Sequence, residues 1–173
     1  MAEPKTGEIG WYSPDPRAVV PLEEFKIHRS LRLAIKKETF EIRLDTRFEE
    51  VMRGCANRNE TWISEEIIRS YVHLYELGYG HSVEAWREGR LAGGLYGVAV
   101  GGAFFGESMF SAERDASKTA LVVLVERMKE RRYQLLDTQY ITPHLAGFGA
   151  KEIPRDEYLN RLHAAIAIDC KFF

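Results

Sequence analysis

Leu91-Ala92-Gly93-Gly94-Leu95-Tyr96-Gly97-Val98-Ala99-Val100-Gly101-Gly102-Ala103-Phe104-Phe105-Gly106-Glu107-Ser108-Met109-Phe110 contains no proline and a single charged side chain. Its length suits two strands, and Gly101-Gly102 divides it with a tight turn. Upstream, Ser82 to Trp86 reads as a strand and Glu88-Gly89-Arg90 as a turn, which makes an antiparallel meander of three. Downstream, Asp115 or Ser117 opens a helix to about Arg131, with Ala120, Leu121, Leu124 and Met128 inward. Gln134 to Ile141 then reads as a further strand. A strand–helix–strand passage needs a crossover, expected to be right-handed. The fold class is therefore α/β (α+β): a mixed sheet with helices on its faces.

Further out, residues 29–37 predict a short helix, and Phe40, Ile42 and Leu44 alternate with charges as a half-buried strand. Phe48, Val51, Met52 and Cys55 fall on one helical face, with Asp45 or Thr46 expected as cap. Ser64 caps the next helix and Gly78 stops it, and Arg155 to about Ala165 is the last. Residues 1–24 hold four of the six prolines. The aromatic run Trp11-Tyr12-Ser13-Pro14-Asp15-Pro16 is expected to lie as a strap over another part of the molecule. The domain reading is an extended segment at 1–28 and one domain at 29–173.

Composition narrows the function class. A net charge of -2 argues weakly against a general nucleic-acid binder but leaves room for a local basic patch. No apolar run is long enough to span a bilayer, and Met1-Ala2-Glu3-Pro4-Lys5 does not begin a secretory signal. Cys55 and Cys170 have no metal-ligand spacing and read as reduced thiols in a cytoplasmic protein. The five histidines are dispersed, and Ser108 is not in a nucleophile elbow.

Three groups of residues remain as chemical candidates. Glycines 93, 94, 97, 101, 102 and 106 mark either close helix–sheet packing or, interleaved with Leu95, Phe104 and Met109, a pocket for one apolar side chain. Glu107, among bulky apolar residues, needs a partner: Arg114 in a structural pair, or a cationic group of a substrate. By alternation Asp137 and Gln139 share a strand face, as a buried network or as a site for an amine. Arg29, Arg32, Lys36 and Lys37 line one helical stripe, which is either solvated or set against phosphates.

Taken together, Trp11 to Arg17, Thr61-Trp62-Ile63, His81 to Trp86, Gly93 to Val98, Phe105 to Ser111, Ala116-Ser117-Lys118 and Leu136-Asp137-Thr138-Gln139 resemble the bacterial leucyl/phenylalanyl-tRNA–protein transferases. The resemblance runs in order from about residue 11 to 160. It implies a fold like the GCN5-related N-acyltransferases. It also implies transfer of Leu, Phe or sometimes Met from aminoacyl-tRNA to proteins beginning with Arg or Lys, which marks them for N-degron proteolysis. No cofactor or metal is implied, and a cytoplasmic monomer is expected. Carried over by motif, Leu95, Phe104, Gly106, Met109, Leu121 and Leu124 surround the transferred side chain. Trp62 lies near the terminal adenosine, and Glu107, Asp137 and Gln139 face the reacting amine or the acceptor's cation. The basic helix takes the tRNA acceptor stem. Only ten residues precede Trp11, so the small N-terminal domain of the family is expected to be largely absent. Two other readings compete: an acyl-CoA-dependent N-acyltransferase, and a non-catalytic tRNA- or degron-binding module.

Overall fold

The computed structural model describes residues 9–173, so the reading of Met1 to Lys5 lies outside the described residues. The chain forms β1 (Arg17–Val20), one 3-10 turn, α1 (Arg29–Lys36), β2 (Glu41–Leu44), α2 (Phe48–Ala56), α3 (Glu65–Glu76) and the hairpin β3 (Gly80–Arg87) and β4 (Arg90–Val100). It continues through β5 (Ala103–Ser111), α4 (Ala116–Glu130), β6 (Leu135–Gln139), α5 (Pro143–Gly147), β7 (Lys151–Ile153) and α6 (Arg155–Ile166). The strands form one sheet in the order β2-β3-β4-β5-β6-β1-β7. All pairs are antiparallel except β5–β6, whose parallel pairing requires the α4 crossover. The expected α/β sheet flanked by helices is the observed one.

The β3–β4 turn has Glu88 and Gly89 at φ 50 and 73, the left-handed geometry that matches strand twist in a two-residue hairpin. One apolar cluster joins Leu95, Phe104 and Leu136 of the sheet to Leu121, Leu124 and Met128 of α4. A second joins Tyr96 to Phe48, Val51 and Met52 of α2 and Ile67 and Ile68 of α3. A third joins Val19 and Leu135 to Tyr158 and Ala165 of α6. Burying side chains of this size contributes about 1.5–3 kcal/mol each, which is what sets helices on the sheet.

Several expectations change. Residues 17–20 are extended as expected, but they form an interior strand between β6 and β7 rather than an appendage. Ser64 does cap α3, accepting from the Ile67 amide at 3.3 Å. Asp45 and Thr46 do not cap α2, whose cap position is Arg47 without a side-chain bond. Both are drawn to β3 instead. Asp45 accepts from the Ser82 amide at 2.5 Å and meets His81 Nδ1 at 2.6 Å. The Thr46 hydroxyl reaches Glu84, a fully buried carboxylate also held by the Thr46 and Arg47 amides, the Ser82 hydroxyl and Trp86 Nε1. A buried charge in need of donors outcompetes a local cap. At α4, Asp115 sits in the left-handed region at φ 68 without capping, and the Ser111 hydroxyl accepts from the Ser117 amide at 3.1 Å.

The register also creates an opening. Parallel pairing of β5 with β6 is confined to Ala103–Phe105 and Leu135–Asp137. Beyond it β5 continues to Ser111 without β6 beside it, so residues from both faces of the sheet reach one gap.

Candidate active site

That gap is a cavity of about 710 Å³, within the roughly 300–1,000 Å³ common for small-molecule sites. Its apolar floor is Leu95, Met109, Leu121, Leu124 and Leu136. Gly106, Glu107 and Ser108 form the β5 wall, and Thr138 and Gln139 the β6 wall. Trp62, Tyr71 and Tyr96 close the side under α3. The strap lies at the mouth, contributing Gly10, Trp11, Tyr12 and Pro14, with Trp11 95% exposed.

Four of the six predicted aminoacyl-pocket side chains, Leu95, Met109, Leu121 and Leu124, line the cavity, and so does Gly106. Phe104 does not: it is wholly buried on the α4 face, 5.7 Å from the Phe172 ring. It is taken up by the core cluster under α4 and by the Phe172 ring, whereas Phe105, next to it in the same paired stretch, does line the cavity. Of the six glycines only Gly106 serves the cavity, and a Cβ there would meet nothing nearer than the Asp137 carbonyl at 3.5 Å. The others are packing or turn residues. A Cβ on Gly93 would strike Ala116 at 2.7 Å, and one on Gly97 the Phe105 carbonyl at 2.3 Å. Close packing thus accounts for most of the glycine run.

Asp137 is fully buried behind the cavity wall rather than in it. Oδ1 accepts from Arg17 Nε at 3.0 Å and from the Gln139 amide at 2.9 Å. Oδ2 accepts from Arg17 Nη2 at 2.6 Å and from the Tyr158 hydroxyl at 2.8 Å. With two donors on each oxygen, the carboxylate is committed. Strict alternation fails at Gln139, whose φ of 58 turns its side chain into the cavity. The amide orientation that suits its neighbours has Nε2 donating to the Gly106 carbonyl at 3.0 Å and the Thr138 carbonyl at 3.2 Å. Oε1 is then the atom left to receive a donor.

Glu107 is different. It does not pair with Arg114, whose nearest acid is Asp115 at 3.6 Å. Burial raises its carboxyl to about 7, opposed by a hydrogen bond from Tyr71 and reinforced by the charge on Asp137. The Tyr71 hydroxyl is itself pushed up, by burial first and then by Glu107. Arg58, from the α2–α3 loop, donates to the Ser108 hydroxyl at 3.0 Å and lines the cavity. Cys55 beneath it is pushed up to about 12 by burial, which makes it inert as a nucleophile.

Sequence reasoning gave no chemical role to Arg17, Arg58, Tyr71 or Tyr158, although Tyr96 was among the large residues interleaved with the glycines. One signal was available: an aspartate that follows two leucines in a buried strand needs donors, and Arg17 follows the rigid Pro14-Asp15-Pro16. The distance of 120 residues along the chain hid the pairing. Arg29, Arg32 and Lys36 are exposed on α1, and Lys37 is exposed just past its end. The start of α1 lies beside α5, where His28 Nε2 stands 3.4 Å from a Cβ position on Gly147, and α5 lines the cavity through His144 and Leu145. His144 is held below its ordinary range by burial and then by Lys118. Among the described residues no group of three His, Cys, Asp or Glu could hold a metal, and no helix is long and apolar enough to cross a membrane.

Comparison with known proteins places this geometry. The family model described as leucyl/phenylalanyl-tRNA protein transferase matches residues 19–163. The chain is 56% identical over 172 residues to a leucyl/phenylalanyl-tRNA–protein transferase of Gloeobacter violaceus, covering 99% of this chain and 89% of that protein. It is 56% identical over 167 residues to one from Herpetosiphon aurantiacus, covering 96% and 87%. Among solved structures, a ribosomal-protein-alanine N-acetyltransferase of Brucella melitensis is similar at 15% identity and a TM-score of 0.46, over 62% of this chain and 85% of that one. L-PGS from Bacillus licheniformis is similar at 16% and 0.47, over 76% and 50%. Similarities that low do not bear on the chemistry.

Proposed function

We propose, starting from the leucyl/phenylalanyl-tRNA–protein transferase family to which this chain belongs, that it is an aminoacyltransferase. It moves Leu or Phe, and sometimes Met, from aminoacyl-tRNA to the α-amine of proteins beginning with Arg or Lys. The product enters N-degron proteolysis, and the enzyme works as a cytoplasmic monomer. The observation that carries this reading is the β5–β6 cavity, with leucines and methionine on one side and an amide and a carboxyl on the other.

The reaction converts an ester to an amide. The α-nitrogen of the acceptor bonds to the carbonyl carbon, the carbon–oxygen bond to the terminal ribose breaks, and one amine proton ends on the departing hydroxyl. A free α-amine has a pKa of about 8, so a useful neutral fraction exists at pH 7. The ester is already activated, so the task is alignment. The aminoacyl side chain lies against Leu95, Met109, Leu121 and Leu124, where buried area favours Leu and Phe. Gln139 Oε1 accepts a hydrogen bond from the attacking amine. Asp137 acts through structure, clamping Arg17 and the Gln139 backbone so that the amide stays in the cavity. Glu107 ionises when a guanidinium or ammonium enters beside it, since an opposite charge offsets its desolvation. Trp62 stands beside the terminal adenosine, and the basic stripe on α1 takes acceptor-stem phosphates.

An acyl-CoA-dependent reaction fits less well. Its pyrophosphate needs free amides at the start of α4, but the Ser117 amide is taken by Ser111, and Glu113 and Asp115 add negative charge there. The test is labelled Leu-tRNA mixed with an Arg-initiated peptide. RNase-sensitive label transfer supports the proposal, peptide binding without transfer indicates a binding module, and dependence on acyl-CoA overturns it.

A further inference from the structure

The first turn of α6 touches the site twice, and nothing in the proposed chemistry uses one of the contacts. Tyr158 holds Asp137 from that turn. Three residues earlier, Arg155 holds the strap: its Nη2 donates to the Ser13 carbonyl at 2.6 Å, and its backbone amide donates to Asp15 Oδ1 at 3.1 Å. The cap position of α6, Pro154, has no side-chain hydrogen bond to offer. Asp15 therefore supplies from the strap the acceptor that the helix start lacks, where negative charge is also favoured by the helix dipole.

These two ties fix the segment that carries Trp11, Tyr12 and Pro14 over the cavity mouth. Trp11 is almost fully exposed, and Tyr12 is 58% exposed. Adjacent in sequence and both lining the cavity, the two rings form an exposed aromatic patch at its rim, the kind of surface that serves binding. Bases stack on such rings at about 1–3 kcal/mol each. The strap leads directly into Arg17, so its position is set at one end by the Asp137 clamp and along its length by α6.

We infer that Arg155 and Asp15 are positioning residues which hold the Trp11–Tyr12 strap against the nucleoside end of the aminoacyl ester. This rests on the transferase reading and adds to it a determinant of tRNA-end affinity that makes no contact with the reacting atoms. The two ties act in parallel on one segment. Losing one leaves the strap partly held, and losing both costs more than the sum of the single losses.

The experiment measures steady-state transfer with wild type, Arg155→Ala, Arg155→Lys, Asp15→Ala and the Asp15→Ala/Arg155→Ala double variant. Aminoacyl-tRNA and the Arg-initiated peptide are varied separately. The expected result is KM for Leu-tRNA raised about threefold in each alanine variant and more than tenfold in the double, with kcat and the peptide KM within twofold. Arg155→Lys, which can still donate to the Ser13 carbonyl, recovers part of the loss. Binding of a leucyl-adenosine 3′-amide weakens in the same order, and hydrogen exchange rises in residues 10–16 while the sheet amides stay protected. An unchanged KM for Leu-tRNA in the double variant overturns the inference, as does an equal rise in both KM values with general loss of protection. If wild type itself transfers nothing, the transferase reading fails instead.

Discussion

The two carboxylates that flank the cavity, Asp137 on β6 and Glu107 on β5, are chemically alike and physically opposite. Asp137 receives four hydrogen bonds from Arg17, Tyr158 and the Gln139 amide and is sealed from solvent. Glu107 faces the cavity with Tyr71 as its donor, and burial leaves it near 7. A saturated carboxylate builds a wall, whereas one short of donors is ready for a ligand that brings its own. The contrast assigns the first to positioning and the second to substrate recognition.

The largest expected effect comes from breaking the saturated side. Asp137→Asn leaves the Arg17 guanidinium, whose side chain is 13% exposed, without its countercharge. Removing one partner of such a pair costs about 3–5 kcal/mol, and the loosened Gln139 lowers kcat/KM about 100-fold. Urea unfolding and transfer kinetics on the same preparations check both. If Asp137→Asn were as stable as wild type, the wall would not depend on this clamp.

Next comes Gln139→Asn, which tolerates the left-handed backbone but withdraws the carbonyl from the amine. A drop in kcat of roughly tenfold is expected, with unfolding midpoint and KM for aminoacyl-tRNA unchanged. A change confined to KM would move Gln139 from the amine to the tRNA end.

Glu107→Gln tests the other side and should act with the opposite sign on stability. The Glu107 carboxyl sits at about 7 in the folded chain, against an ordinary value of 4.5. Below 4.5 neither state ionises and the two proteins are equally stable. As pH climbs from 4.5 through 7, the unfolded chain ionises more readily, and wild type loses stability that Gln retains. The gap then levels off above 7. Transfer to Arg-initiated peptides weakens about tenfold in the variant. In wild type, KM for that peptide falls as pH rises through 7. A variant less stable at pH 8 than at pH 4, relative to wild type, would contradict the contrast.

The smallest effect is expected at Gly106→Ala. The added methyl has room, with the Asp137 carbonyl 3.5 Å away, so folding is undisturbed. The cavity narrows, and the ratio of Leu to Phe transferred rises a few-fold, as methylene-sized changes do. Competition between Leu-tRNA and Phe-tRNA in one reaction reads that ratio.

Much of this was legible in the sequence because local rules governed it. The meander follows from the Gly101-Gly102 and Glu88-Gly89 turns, and Ser64 announces α3 through its hydroxyl. What stayed hidden was decided by distant partners. Asp45 and Thr46 looked like caps until Glu84 and His81 claimed them. Phe104 looked like pocket because nothing local shows that the distant Phe172 ring packs against it. Alternation put Asp137 and Gln139 on one face, as a buried network or an amine site; the left-handed turn at Gln139 splits them, Asp137 into a buried network and Gln139 into the cavity. Arg17 enters the site only once the sheet order is known, since β1 lies between β6 and β7, and Tyr71 and Tyr158 only once α3 and α6 are packed on the sheet.

The most direct test of the account is a crystal structure of the protein with a leucyl-adenosine 3′-amide bound. The account predicts the leucyl side chain against Leu95, Met109, Leu121 and Leu124, with its carbonyl carbon open to an amine held by Gln139 and with Glu107 still free for a second ligand. A leucyl group seated against Glu107 and Tyr71, or outside the β5–β6 gap altogether, would contradict it.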